Sequence, residues 1–319
     1  MKSANKHVKV SVVIGVYNGR KDIDSTLRSV LDIDFNGFEL IVVDDGSADG
    51  TGPFLDQYEQ RDPRVHVIHQ GNAGLTRALI RGCKEARGEY IARIDSGDLA
   101  LPGRFQKQTE ILDSDATISF VSCWTKVSTS VGEALYISKG TGEAVEARRI
   151  LDASARNGLV DGPSHHGSVM FRRKDYLAAG GYRPEFYFGQ DWDLWYRLAE
   201  VGKFQMIPEV LYEARISPGD ISMNQKRRQE EIARCSLAAM KLRSLGKSDA
   251  VALESAARIR PSRSQGQRLG KNFRGNYFIG ETLRRNGDLA AASKYLWEAA
   301  KANPFYLKSW LRLCQLAIR

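Results

Sequence analysis

A chain of 319 residues, 42% hydrophobic and 27% charged, has the make-up of a globular protein with room for one large α/β domain and a smaller one. No apolar run approaches the roughly 18 residues that cross a bilayer. The four cysteines, Cys83, Cys123, Cys235 and Cys314, are scattered without a C-x-x-C pair, which speaks against both a zinc site and a disulfide framework. The net charge of +9 is unevenly spread: residues 225–319 hold 20 Lys and Arg against 7 Asp and Glu, and the other 224 residues hold 27 against 31. A basic tail of that kind suits anionic lipid head groups, nucleic acid or an acidic partner.

Val8 to Val16 predicts a first strand buried on both faces. Its basic lead-in resembles the front of a signal peptide, but the apolar part is short and runs into Tyr17-Asn18-Gly19 with no small-residue cleavage site, so a cytoplasmic protein is expected. Asp22 to Asp32 carries Ile23, Leu27, Val30 and Leu31 at amphipathic-helix spacing. Phe38 to Val43 is a second strand ending in Asp44-Asp45-Gly46-Ser47, Pro53 to Gln60 a short helix, and Val65 to His69 a third strand. Leu75 to Ala86 is a helix with Leu75, Leu79 and Ala86 on one face, and Tyr90 to Ile94 is a fourth strand. The alternation implies a mainly parallel sheet covered by helices, with ligands beyond the carboxyl ends of the strands. Polar clusters fall at three such ends: Tyr17-Asn18-Gly19, Asp44 to Ser47, and Asp95-Ser96-Gly97-Asp98. Two carboxylates on a tight turn can share a divalent cation with substrate phosphates, although an isolated D-x-x-D reads first as an exposed acidic loop. The first strand is followed by no G-x-G-x-x-G, and the chain has no G-x-x-x-x-G-K-[ST], which argues against a dinucleotide dehydrogenase and a P-loop NTPase. Arg77, on the first turn of the third helix, is a candidate to meet phosphate charge, or else a solvated helix residue.

Beyond Pro102 the pattern loosens. Phe105 to Leu112 reads as a helix, Ile118 to Val127 as a strand, Glu143 to Leu151 as a further helix, and Val169 to Phe171 as a short strand after a turn-rich loop from Gly162 to Ser168. Lys174 to Ala179 is a short helix stopped by Gly180-Gly181. Asp191 stands where the next helix should begin, with Leu194, Trp195 and Leu198 as its buried stripe, so an N-cap role is open to it. Phe188, Trp192 and Trp195 offer a carbohydrate-binding wall or plain core. After about residue 224 the chain turns helical, with a connector at Pro261 to Gly266. From Asn276 on, Gly280, Ala292, Ala299 and Pro304 fall at tetratricopeptide spacing, and Asp288 is placed to cap the second helix. A single such unit cannot bury both its faces, so it is expected to pack on the first domain or on a second subunit.

The ordered set VSVVIGVYNG, ELIVVDDGSADGT, NAGLTRAL, GEYIARIDSGDLALPGRFQKQ, HGSVMFRR, GGY and QDWDLWYRLA resembles the family-2 inverting glycosyltransferases over about two thirds of the chain. The resemblance implies a GT-A fold, a Rossmann-like mixed sheet, over residues 1–224, followed by a small all-α basic region at 225–319. It implies that Val16 and Tyr17 line a nucleotide-base pocket, that Asp45 bonds the base (commonly uracil), that Asp95 lies near ribose and metal, that Asp191 is the catalytic base, and that His166, with Trp192, faces donor sugar and acceptor. Many relatives read D-x-D-D where this chain has Gly97, so Mg²⁺ or Mn²⁺ is expected on Asp95 and Asp98. The missing Q-x-x-R-W motif points to single rather than processive addition. The implied partners are a nucleotide-sugar donor, a glycan or lipid-linked acceptor and an anionic membrane met through the tail, with no nucleic acid expected, and surface polysaccharide synthesis is the implied setting. A glycosidase reading leaves the nucleotide motifs unexplained, and a nucleotidyltransferase would need a Gly-rich basic loop after the first strand, for which Gly19-Arg20-Lys21 is too thin. A non-catalytic sugar-nucleotide binder, prompted by Gly97, is the second reading.

Overall fold

A computed structural model describes residues 8–140, 162–219, 226–260 and 272–317. Four parallel strands form its first half: β1 (Val10–Val16), β2 (Phe38–Asp44), β3 (Val65–His69) and β4 (Tyr90–Arg93). They alternate with α1 (Ile23–Leu31), α2 (Thr51–Arg61) and α3 (Leu75–Glu85). Then come β5 (Leu99–Ala100), α4 (Arg104–Ser114), β6 (Ile118–Thr129), β7 (Ala134–Ser138), β8 (Met170–Arg172), α5 (Arg173–Ala178), α6 (Gln190–Val201) and β9 (Lys203–Ile216). Among the described residues these strands make one mixed sheet in the order β3-β2-β1-β4-β8-β6-β9-β5, with β7 paired to β6. β8 runs antiparallel to β4 and β6, and β5 antiparallel to β9.

Every residue of β1 and β2 is buried, as strands covered on both sides must be. Side chains alternate between two layers. Val10, Val12, Ile14, Leu40, Val42, Tyr90 and Ala92 meet α1 and α4 through Ile23, Leu27, Phe105 and Leu112. Val13, Ile41, Val43, Ile91 and Phe171 meet α3 and α6 through Ala78, Leu79, Cys83, Leu194 and Leu198. Since β1 is flanked by β2 and by β4 in parallel register, Val10 standing opposite Phe38 and Tyr90, the chain direction across the sheet reverses at β1. The carboxyl ends of β1 and β4 therefore bound the crevice where such sheets take ligands.

The chain divides into two compact units, and the division does not follow residue 224. Residues 232–259, the body of α7 (Lys226–Ser244) with α8 (Ala250–Arg258), count with the first unit, where Ile232 and Ala256 pack with Phe186 and Phe188. The second unit comprises 126–137, 215–231 and 260–319. Within it α9 (Phe273–Asn286) and α10 (Leu289–Ala302) pack as a hairpin through Ile279, Leu283 and Ala292, and α11 (Leu307–Ala317) follows. The Asp288 side chain accepts the Ala291 amide and caps α10, as its spacing predicts. The expected helix at Glu143 to Leu151 and the connector at Pro261 to Gly266 lie outside the described residues.

Candidate active site

β4 ends at Arg93, and two residues later Asp95 opens the turn to β5. The Arg93 guanidinium is buried and grips Asp95, with Nε 2.9 Å from Oδ1 and Nη2 3.2 Å from Oδ2. From the loop before β8, His166 Nε2 reaches Asp95 Oδ2 at 2.6 Å, and its Nδ1 lies 3.4 Å from Asp191 Oδ2 on α6. The result is a row of alternating charges, Arg93, Asp95, His166 and Asp191, drawn from β4, its following turn, a loop and a helix. Burial opposes the charge on Asp95, but Arg93 and His166 outweigh it and hold its carboxyl well below the usual range. Burial likewise opposes a charged His166, yet Asp95 and then Asp191 raise its pKa. The neighbouring His165 is pushed the other way by burial and by the charge of His166. Its Nδ1 accepts the Gly167 amide at 3.2 Å, as a neutral imidazole nitrogen can.

The other end of the acidic turn is held from the far side of the sheet. Tyr212 of β9 donates its hydroxyl to Asp98 Oδ2 at 2.6 Å and accepts the Asp95 amide at 3.3 Å. Its ring stacks on His165 and carries the Arg104 guanidinium 4.8 Å from its centroid. Arg104, fully buried on α4, donates to the Arg93 and Gly167 carbonyls, both at 2.8 Å, and so ties β4 to the histidine loop. Gly167 is required here, because a Cβ would lie 2.0 Å from the Tyr212 hydroxyl. Gly97 has φ +100°, a left-handed conformation that an Asp would adopt only under strain.

Val16 is buried at the end of β1, and Tyr17 beside it is 54% exposed. Asp45 is almost fully buried and accepts three hydrogen bonds: Oδ1 accepts from Gln70 Nε2 and the Ala73 amide, and Oδ2 from the Gly74 amide, all at 2.7–2.8 Å. It therefore fixes the loop leading into α3, on whose first turn Arg77 is exposed and has no ion-pair partner among the described residues. Two local expectations need correction. The N-cap of α6 is Gly189, and Asp191 sits inside the first turn, where its charge is favoured by the helix dipole. Phe188 and Trp195 are core residues, leaving Trp192, partly exposed and edge-on to Trp195 at 4.7 Å, as the one member of the aromatic wall that borders Asp191.

Two carboxylates are sound ligands for a hard divalent cation, but here they are engaged elsewhere. Both Asp95 oxygens face Arg93, one also faces His166, and Asp98 is turned to Tyr212. Among the described residues no three His, Cys, Asp or Glu side chains are grouped to hold a metal. The residues fit a cation only when other oxygens complete its shell.

Arg93, Arg104, His165 and Tyr212 escape sequence reasoning. Arg93 is concealed in a strand, and Tyr212 lies 117 positions from the amide it accepts. For His165 a signal was at hand, its place next to His166 in the turn-rich loop.

A mixed α/β sheet with acids gathered beyond its parallel strand ends is the GT-A arrangement of sugar-nucleotide transferases. The profile of Glycosyl transferase family 2 matches residues 11–177. EpsE of Bacillus subtilis (strain 168), named as a glycosyltransferase, is 31% identical over 218 residues, 66% of this chain and 74% of its own. Chondroitin synthase of Escherichia coli is 28% identical over 64% of this chain, which spans 28% of that protein. Two solved structures share the fold: Staphylococcus aureus TarS 1–349 with UDP (TM-score 0.55, 18% identity, 97% of this chain and 89% of that one) and the Pyrobaculum calidifontis mannosyltransferase PcManGT with GDP-Man and Mn²⁺ (0.56, 17%, 98% and 86%). The chain belongs to glycosyltransferase family 2 and is a transferase.

Proposed function

We propose that the protein moves one sugar from a nucleotide-sugar donor to a hydroxyl of a glycan or lipid-linked acceptor, with inversion, in surface polysaccharide synthesis. The observation that carries this reading is Asp191, an acid at the start of a helix within ion-pair reach of His166, which in turn reaches Asp95 beyond the end of β4. In the proposed step Asp191 takes the proton of the acceptor hydroxyl as that oxygen bonds to the anomeric carbon. The bond from that carbon to the diphosphate oxygen breaks on the opposite face, and the nucleoside diphosphate leaves. Val16 and Tyr17 border the base, the loop fixed by Asp45 shapes its pocket, Arg77 meets phosphate, and Trp192 lines the acceptor side. Mg²⁺ or Mn²⁺, held by Asp95 and Asp98 together with donor diphosphate oxygens, would neutralise charge on the leaving group. That PcManGT was solved with GDP-Man and Mn²⁺ and TarS with UDP supports a nucleotide-sugar donor for this chain too, with a uridine sugar as first choice from Asp45.

The test is release of nucleoside diphosphate from a panel of UDP- and GDP-sugars, with and without Mn²⁺. A donor-specific release lost in Asp191→Asn supports the reading, and turnover unchanged in that variant overturns it. Gly97 favours one alternative, a sugar-nucleotide binder without turnover. In that case UDP or GDP raises the melting temperature while no donor is consumed by wild type.

A further inference from the structure

The second unit has a face that is aromatic, aliphatic and basic together. Trp297 on α10 is 48% exposed and Trp310 on α11 is 37% exposed, their rings set edge to face at 5.8 Å. Phe305, in the turn between these helices, is 92% exposed, and Leu307 and Leu311 on α11 are 76% and 54% exposed. Lys294, Trp297 and Lys301 follow one another along one side of α10, and Lys308 stands between Leu307 and Leu311 on α11; all three lysines are exposed. Glu298 is the exposed acid of α10, and Lys301 pairs with it at 2.5 Å. The whole unit holds 17 Lys and Arg against 7 Asp and Glu, a surplus of ten cations.

Five large apolar side chains grouped in water mark an interaction surface. An acidic protein would answer the lysines, and a second copy of the chain would bring the same positive charge against itself. A bilayer with anionic lipid answers both properties at once. Tryptophan rings settle at head-group depth, phenylalanine and leucine enter the acyl boundary, and lysines meet the lipid charge. Among the described residues no helix is long and apolar enough to cross a membrane, so the contact is with the surface. We propose that the α10–α11 face of the second unit docks the protein on an anionic lipid bilayer. This does not depend on the transferase reading, because the measurement needs no sugar donor.

The intact protein would be floated with vesicles of phosphatidylcholine alone and of phosphatidylcholine mixed with phosphatidylglycerol, at low and high salt. Expected are flotation with the mixed vesicles at low salt, its loss at high salt, and quenching of tryptophan emission by brominated acyl chains. Phe305→Ser with Leu307→Ser changes two highly exposed side chains and should lower partitioning about tenfold with the circular dichroism spectrum unchanged. Lys294→Glu, Lys301→Glu and Lys308→Glu together should remove the preference for phosphatidylglycerol. The proposal is overturned if mixed vesicles never recruit the protein, or if the Phe305–Leu307 double variant floats as wild type does. It is also overturned if sedimentation without lipid shows a dimer that the double variant dissolves, since the face would then belong to a second copy.

Discussion

Asp191→Asn keeps the size and the hydrogen-bonding edge of the side chain while removing the base. Transfer should fall by about 10²–10⁴-fold, with donor affinity and melting temperature close to wild type, as read from initial rates and a thermal-shift titration with nucleoside diphosphate. Tyr212→Phe tests the clasp on the acidic turn. The buried Asp98 carboxylate loses its Tyr212 donor and the Asp95 amide loses an acceptor, so urea unfolding should show a loss of about 1–3 kcal/mol. Asp95 and Asp191 stand at breaks in periodicity, where a strand ends or a helix begins, whereas His166 is marked by the family stretch HGSVMFRR, and the roles expected of all three come from that resemblance. Tyr212 and Arg104 are not, because what makes them part of the site is a pairing across 60 or more positions, from Arg104 to Gly167 and from Tyr212 to Asp98, and no local pattern records it. Asp45 shows the converse. Its place in the motif is clear, yet its three loop donors show a fixed structural duty in addition to any contact with a base.

At the scale of elements, β1 to β4 and their helices fall close to where apolar periodicity puts them, and β1 and β2, buried on both faces, are near-continuous apolar runs. β9 is different. Its fourteen residues mix buried and exposed positions without regular alternation, and Pro208 stands within it, so a strand is hard to read before its partners are known. β5, two residues long, exists only through its pairing with Glu213 and Tyr212. In α9 the Glu281 carboxylate faces Arg284, Arg285 and, from α11, Arg312. The hydrogen bond from Arg284 leads in depressing its pKa from 4.5 to about 2. A depressed acid stabilises the fold fully above its unfolded value and loses that contribution as pH falls through its folded one. Glu281→Gln should therefore cost about 1 kcal/mol at neutral pH, and the gap from wild type should close as pH drops from 4.5 toward 2, followed by thermal unfolding across that range.

Across the whole molecule, composition marks a basic second half but not where the compact units divide. The helices at 232–259 place seven charged residues of that half, five cations and two acids, with the first unit. Asp249 accepts from Arg183 at 2.6 Å and from Arg243 at 2.8 Å, Arg243 reaches Glu200 on α6, and Arg197 pairs with the buried Asp193. Such contacts join side chains from distant parts of the chain and leave no trace in a local charge count. Asp249→Ala leaves two arginines short of a partner and should lower stability by about 2–3 kcal/mol, measured in denaturant, with a smaller loss at high salt for the more exposed of the pairs.

The clasp formed by Tyr212 also bears on how such a gene can change by exchange of parts. The stretch that matches the family profile ends at 177, whereas Asp191 and Tyr212 lie beyond it. A crossover between two relatives at that point would join the acidic turn of one parent to the Asp191 and Tyr212 of the other. Offspring would keep a working centre only where both parents place that hydroxyl against the same turn. The turn and the tyrosine that holds it are thus inherited together across this boundary, and change should arise more readily by substitution in the loops than by shuffling the two halves.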